Sequence, residues 1–135
     1  QFPWGDKLIY PQTIPSSTST STDANQLTYC NYRDAGLNKP SPVGQFKDTS
    51  PYGLYDMVGN VWEWCADWYQ PDHTPSDIWQ TNPTGPSIGE ARVIRGGSWT
   101  DGDSVLKAGC RYRAFPLQRS NALGFRCAIS LDHTA

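Results

Sequence analysis

Glycine and proline decide first what this chain can become. Twelve Gly and eleven Pro interrupt 135 residues. In the stretch 70–90 they fall at Pro71, Pro75, Pro83, Gly85, Pro86 and Gly89. Proline fixes φ and removes a backbone donor, and glycine weakens helix and strand alike. Long regular elements are therefore excluded, and 70–90 reads as loop. What is ordered must be short, so the core must come from a few large side chains. Six Trp, seven Tyr and four Phe supply them, and one domain's worth of chain can bury them in a single core.

Along the chain, residues 1–29 hold the aromatic start FPWGD and then the low-complexity run PSSTSTSTDANQ, which reads as exposed loop. Residues 30–51 are broken by Gly and Pro, with a short extended piece expected at 45–46. The segment YGLYDMVGNVWEWCADWY (52–69) is the densest in large groups. Alternation of Val61, Trp62, Glu63, Trp64 and Cys65 between two faces predicts a strand, with one helical turn ahead of it at 54–58. A short strand is expected over 91–94, ended by Gly96-Gly97. Residues 100–106 read as loop, and 110–114 and 124–129 are the last strand candidates.

A net charge of −2 and a pI near 5.5 argue against a nucleic-acid partner. No apolar run is long enough for a membrane-spanning helix. The chain opens at Gln1, so an upstream portion is expected to have been removed, and a targeting signal cannot be judged. Cys30, Cys65, Cys110 and Cys127 form no CxxC pair. Buried free thiols, one disulfide, or a reactive thiol at Cys110, amid polar and basic neighbours, all remain open. GxSxG, HExxH and phosphate-loop motifs are missing. His73 and His133 are isolated in a Pro-rich loop and the tail.

Five phrases, FPWGD (2–6), PVGQF (42–46), 52–69 as quoted, RVIRGGSW (92–99) and LGFRCA (123–128), resemble in order and spacing the C-terminal half of the formylglycine-generating enzyme (sulfatase-modifying factor) family. The resemblance implies an α+β, C-type-lectin-like fold with short antiparallel strands, little helix and much irregular chain. Because the PWGD phrase falls near the middle of the family's domain, residues 1–135 are expected to be its C-terminal part. The N-terminal half would be missing or on another chain, and a companion fragment or covering chain would close the open sheet edges. The resemblance also implies structural calcium, held by the side chains of Asp56 and Glu63 and the carbonyls of Gly59 and Val61. A second site would map to Asn31, Tyr32, Asp34 and Leu37. Calcium takes six to eight oxygens and accepts loop carbonyls. From the residues alone, Asp56 as a turn or cap residue and Glu63 as the partner of a buried arginine stay open.

Catalysis in that family implies two cysteines five apart, after GGS(W/Y) and before an RYR-like segment, binding copper as soft thiolates. Here TDGDSVLKAGCRYR holds only Cys110, one position late against Arg111-Tyr112-Arg113, and the upstream position falls at Ser104 and Val105. Copper is therefore not expected, and Cys110 is the one catalytic candidate.

The loop after GGSW also resembles the variable proteins of diversity-generating retroelements, which belong to the same family. The fixed frame would include Trp99, Leu106, Arg111, Pro116, Arg119, Phe125 and Arg126, with 100–105, Cys110, 112–115 and 117–118 among the free positions. Many residues there are reachable from an Asn codon by changing only its adenines. Trp99 and Phe125 are expected to help fill the core, and Arg111, Arg119 and Arg126 to pin loops through forked hydrogen bonds. A ligand face would comprise Trp99, Asp101, Asp103, Tyr112, Arg113, Phe115 and Gln118, since Tyr and Arg are favoured binding anchors. The leading reading is a non-catalytic domain binding a protein or small ligand. The rivals are a copper-dependent oxidase converting a sulfatase cysteine to formylglycine, and a structural or regulatory appendage of a larger protein.

Overall fold

The computed structural model describes residues 30–46, 50–71 and 84–129. The phrase FPWGD, the low-complexity run, both histidines and most of the Pro-rich loop lie outside them. Four strands form one sheet: β1 (Trp62–Trp68), β2 (Arg92–Arg95), β3 (Tyr112–Ala114) and β4 (Leu123–Gly124), in the order β3-β2-β1-β4. The only helical pieces among the described residues are single 3-10 turns at Arg33–Ala35 and Asp103–Val105. Short strands and scarce helix follow from the Gly and Pro punctuation.

Strand β1 begins where the turn Gly59-Asn60 ends, both residues having positive φ (77° and 62°). It runs to Trp68, three residues past the expected 61–65. Its register against β2 is irregular: Trp64 faces Ile94 and Trp68 faces Arg92. Four steps of β1 thus match two of β2, a bulge that accentuates strand twist. Strand β2 stops at Gly96 (φ 94°) and Gly97 (φ 73°), positions that favour residues without a Cβ. A Cβ at Gly97 would also stand 2.5 Å from Leu106 Cδ2.

Several expectations need correction. The β1–β4 pair is parallel, not antiparallel. Residues 54–58 form no helical turn; Asp56 has φ 53° and breaks it. The strand expected at 124–129 reduces to Leu123–Gly124, and the loop at 100–106 contains the second 3-10 turn. Two apolar clusters form the core. One joins Cys30, Tyr32, Val58 and Leu106; the other joins Trp62, Ile94 and Ala114, flanked by Trp64, Val105 and Leu123. Trp99 is only half-buried and Phe125 is 75% exposed. Phe125 follows a two-residue strand on the outer side of β1, where no further described strand covers it.

Candidate functional site

The phrases GN of GNVWEW and GGSW of RVIRGGSW fold as one knot. Gly59 N donates to Gly96 O (2.8 Å), Asn60 N to Asn31 O (2.7 Å) and Trp99 N to Asn60 O (2.9 Å). The Asn60 side chain then clasps Ser41, its Oδ1 accepting from Ser41 N (2.9 Å) and its Nδ2 donating to Ser41 O (3.2 Å). Buried Asn60 therefore ties four segments together, and a Cβ at Gly59 would stand 2.3 Å from Asn31 O. RGGSW is scaffold.

Asp101 belongs to this scaffold too. Its Oδ2 accepts from Trp62 Nε1 (2.8 Å), Ser98 N (3.0 Å) and the Ser98 hydroxyl, and its carbonyl accepts from Arg33 N (3.0 Å). A carboxylate oxygen with three donors in a part-buried corner orders the loop, so Asp101 leaves the expected ligand face. Trp99 sits at the border, its indole N–H donating to Asn121 O (3.3 Å). Asp103 is exposed on the 3-10 turn, and Gln118 closes a turn on Phe115 (N to O, 2.8 Å).

The residues left facing outward lie on β3 and the turn after it. Tyr112 is 60% exposed, Phe115 56% and Leu117 93%. The Tyr112 ring leans on Trp62 at 5.8 Å. Arg111 and Arg113 place their guanidinium carbons 5.6 and 5.5 Å from the Tyr69 ring centroid, within cation–π range. Arg111 was expected to fork onto a carboxylate or carbonyl; it stacks on Tyr69 instead. Beside them Arg92 lies over Trp68 at 3.5 Å and donates to Ala66 O, and Arg95 donates to Ala108 O. Sequence reasoning missed this arginine–aromatic group and the local charge that goes with it. Residues 92–129 carry seven of the chain's eleven Lys and Arg and two of its thirteen Asp and Glu, +5 over that stretch of a −2 chain, of which Arg126 is offset by Glu63.

All four residues expected at the first calcium site, Asp56, Gly59, Val61 and Glu63, line one cavity of about 270 Å³ with Tyr55, Phe125 and Arg126. Arg126 was expected to pin loops by forked bonds and does. Its Nε and Nη2 donate to the two Glu63 oxygens at 2.6 Å each, and Nη2 also reaches Tyr55 O and Asp56 O at 3.1 Å. Asp56 Oδ2 accepts from Gly44 N (2.7 Å). The set shares one cavity, but its charge does not suit calcium. Both oxygens of Glu63 already hold a cation, and the guanidinium lines the same cavity. At the second site, buried Asn31 donates to Lys39 O (2.9 Å) and its Oδ1 has no hydrogen-bond partner. Asp34, by contrast, is exposed and pairs with Arg33 at 3.3 Å. No group of three or more His, Cys, Asp or Glu able to hold a metal occurs among the described residues.

None of the four cysteines is in a disulfide: Cys30 is buried, Cys65 and Cys110 partly buried, and Cys127 exposed. Burial pushes the Cys65 thiol above its ordinary range, with Arg95 pulling the other way. Cys110 caps a turn, its N–H donating to Lys107 O (2.8 Å). Ser104 lies within the 3-10 turn and Val105 ends it, packed against the second core cluster.

Residues 1–131 match the family described as the sulfatase-modifying factor enzyme 1-like domain. A formylglycine-generating enzyme of Streptomyces coelicolor is 33% identical over 138 residues, covering 100% of this chain and 42% of that protein. A serine/threonine-protein kinase pkn1 of Chlamydia pneumoniae is 43% identical over 84 residues, 62% of this chain and 14% of the kinase. Among solved structures, Treponema denticola variable protein 1 superposes with a TM-score of 0.63 at 35% identity, over 82% of this chain and 38% of that one. The chain thus spans less than half the length of each of these proteins.

Proposed function

This chain belongs to the sulfatase-modifying factor enzyme 1-like domain family, and from that footing we propose that it is a non-catalytic binding domain on a formylglycine-generating-enzyme-type, C-type-lectin-like scaffold. The carrying observation is the contrast within residues 99–122. Asp101 and the GGSW knot are locked inward, while Tyr112, Arg113, Phe115 and Leu117 are turned to solvent. Contiguous exposed apolar groups beside polar ones mark interaction surfaces. Resemblance to a Treponema variable protein supports a displayed, exchangeable surface on this frame. The catalytic rival needs a second thiolate, and the family's upstream cysteine position holds Ser104 or Val105.

The test has two arms. After Cu(I) loading, oxygen uptake is measured with a peptide presenting a sulfatase-type cysteine; no turnover is expected. Copper-dependent uptake that disappears in Cys110→Ala would overturn the proposal. In parallel, Tyr112→Ala and Phe115→Ala are expected to leave stability within about 0.5–1 kcal/mol of the parent, as exposed positions do. A loss above about 2 kcal/mol would make these residues core rather than face.

Relatives more than twice as long as this chain favour a companion N-terminal fragment or covering chain. The exposed Val43, Tyr55 and Phe125 around the cavity mouth are where it would pack. The match within a kinase gives the appendage reading its own support. Such an appendage would bind through the same face.

A further inference from the structure

Among the described residues strand β3 lies at the edge of the sheet, pairing with β2 alone. Edge strands carry a row of main-chain N–H and C=O groups able to pair with another chain. The two sides of this edge differ. Arg111 and Arg113 project to one side, over Tyr69. Tyr112, between them in sequence, projects to the other, against Trp62. Neither Arg111 nor Arg113 forms an ion pair among the described residues; the ion pairs there are Arg33–Asp34 and Arg126–Glu63. A guanidinium stacked on a ring keeps its planar N–H edge available for a bidentate carboxylate.

We propose that the edge of β3 takes up an extended segment of a partner protein as an added strand, with acidic side chains at alternate positions and apolar ones between. The acidic residues meet Arg111 and Arg113, and the apolar ones meet Tyr112. This rests on the binding-domain reading and names its partner. Strand addition gains affinity from main-chain hydrogen bonds and specificity from alternate side chains. Cross-strand opposite charges and aromatic–aliphatic pairs both favour that register. Arg111 and Arg113, which have no acidic partner among the described residues, set the sign of the partner. Main-chain pairing at a strand edge requires a peptide backbone, which favours a peptide over nucleic acid.

The experiment titrates the full chain with a blocked peptide alternating glutamate and valine. Its controls are a scrambled peptide of the same composition, a lysine-for-glutamate peptide, and single-stranded oligothymidine. Hydrogen exchange at 112–114 is followed in parallel. Binding of the alternating peptide is expected, with protection of those amides and a loss of about tenfold or more in Arg111→Gln/Arg113→Gln. The melting temperature of that variant is checked to exclude unfolding. Three results overturn the proposal: equal binding of the scrambled peptide, affinity unchanged in the double variant, or tighter oligothymidine binding at the same arginines. No detectable binding at millimolar peptide overturns it as well. If that failure comes with silent copper-dependent oxygen uptake, the binding-domain reading survives and only its partner is wrong; if uptake is seen, both fall.

Discussion

Arg126 and Glu63 give the sharpest quantitative prediction. The pair is bidentate at 2.6 Å, and the Arg126 and Glu63 side chains are 34% and 20% exposed. Exposed ion pairs contribute about 0–1 kcal/mol, and removing one partner of a fully buried pair costs about 3–5 kcal/mol. An intermediate burial places Arg126→Met at a loss of about 2–3 kcal/mol. Arg126 also holds the carbonyls of Tyr55 and Asp56, and those bonds survive in Glu63→Gln. Glu63→Gln should therefore be the milder change, near 1–2 kcal/mol by the value of a charge-assisted hydrogen bond. For a domain of this size the larger loss corresponds to a fall of roughly 8–12 °C in melting temperature. Urea unfolding followed by tryptophan fluorescence measures each loss, and the double variant measures the coupling. A loss under about 0.5 kcal/mol for Arg126→Met, or strict additivity in the double variant, would refute the account. Calcium supplies a second arm. Saturating calcium should raise the melting temperature of Arg126→Met, where Glu63 and Asp56 face the cavity without a guanidinium, and leave the parent unmoved. Calcium at 100 times Kd would add about 2.7 kcal/mol to whichever protein binds it. A rise of that order in the parent would put calcium where charge balance leaves no room for it.

The scaffold and the thiols give further expectations. Asn60→Ala removes both clasps on buried Ser41 and should lower stability by about 2–4 kcal/mol in the same urea assay. Gly59→Ala combines a positive φ with a clash against backbone, and should abolish cooperative unfolding or yield only insoluble protein. Maleimide labelling at neutral pH, read by mass spectrometry, should modify exposed Cys127 first and Cys30 last. The raised Cys65 pKa favours the protonated folded state. Its contribution is full below the ordinary thiol pKa and is lost as pH climbs toward the folded value. Stability of the parent should therefore fall more steeply above about pH 9 than that of Cys65→Ala, in parallel urea titrations.

How much of this was legible in the sequence depends on which physical signal each residue carries. The strand at VWEWC was legible because period-two alternation of large groups is a local property, and β2 because Gly96-Gly97 ends it. The scaffold role of RGGSW followed from phrases whose spacing is fixed. Phe125 misled because hydrophobicity forecasts burial only where another layer exists to cover the side chain. On the outer side of β1 the described chain offers no such layer. Asp101 misled for the converse reason. A carboxylate in a Gly-containing loop looks solvated, yet the turn from Ser98 folds it back onto Trp62 Nε1, 39 residues away. Arg126 was legible as a loop pin and Glu63 as the partner of some arginine, but not that the two are one pair. That pairing needs Glu63 and Arg126, 63 residues apart, at one cavity. The arginine–aromatic group around Tyr69 was hidden by averaging. A whole-chain charge of −2 conceals +5 over the sequence stretch 92–129, and only the fold sets Arg113 on β3, and Arg111 just before it, beside Tyr69. Local pattern thus gave the frame, while the function of the frame resides in pairings between residues far apart in sequence.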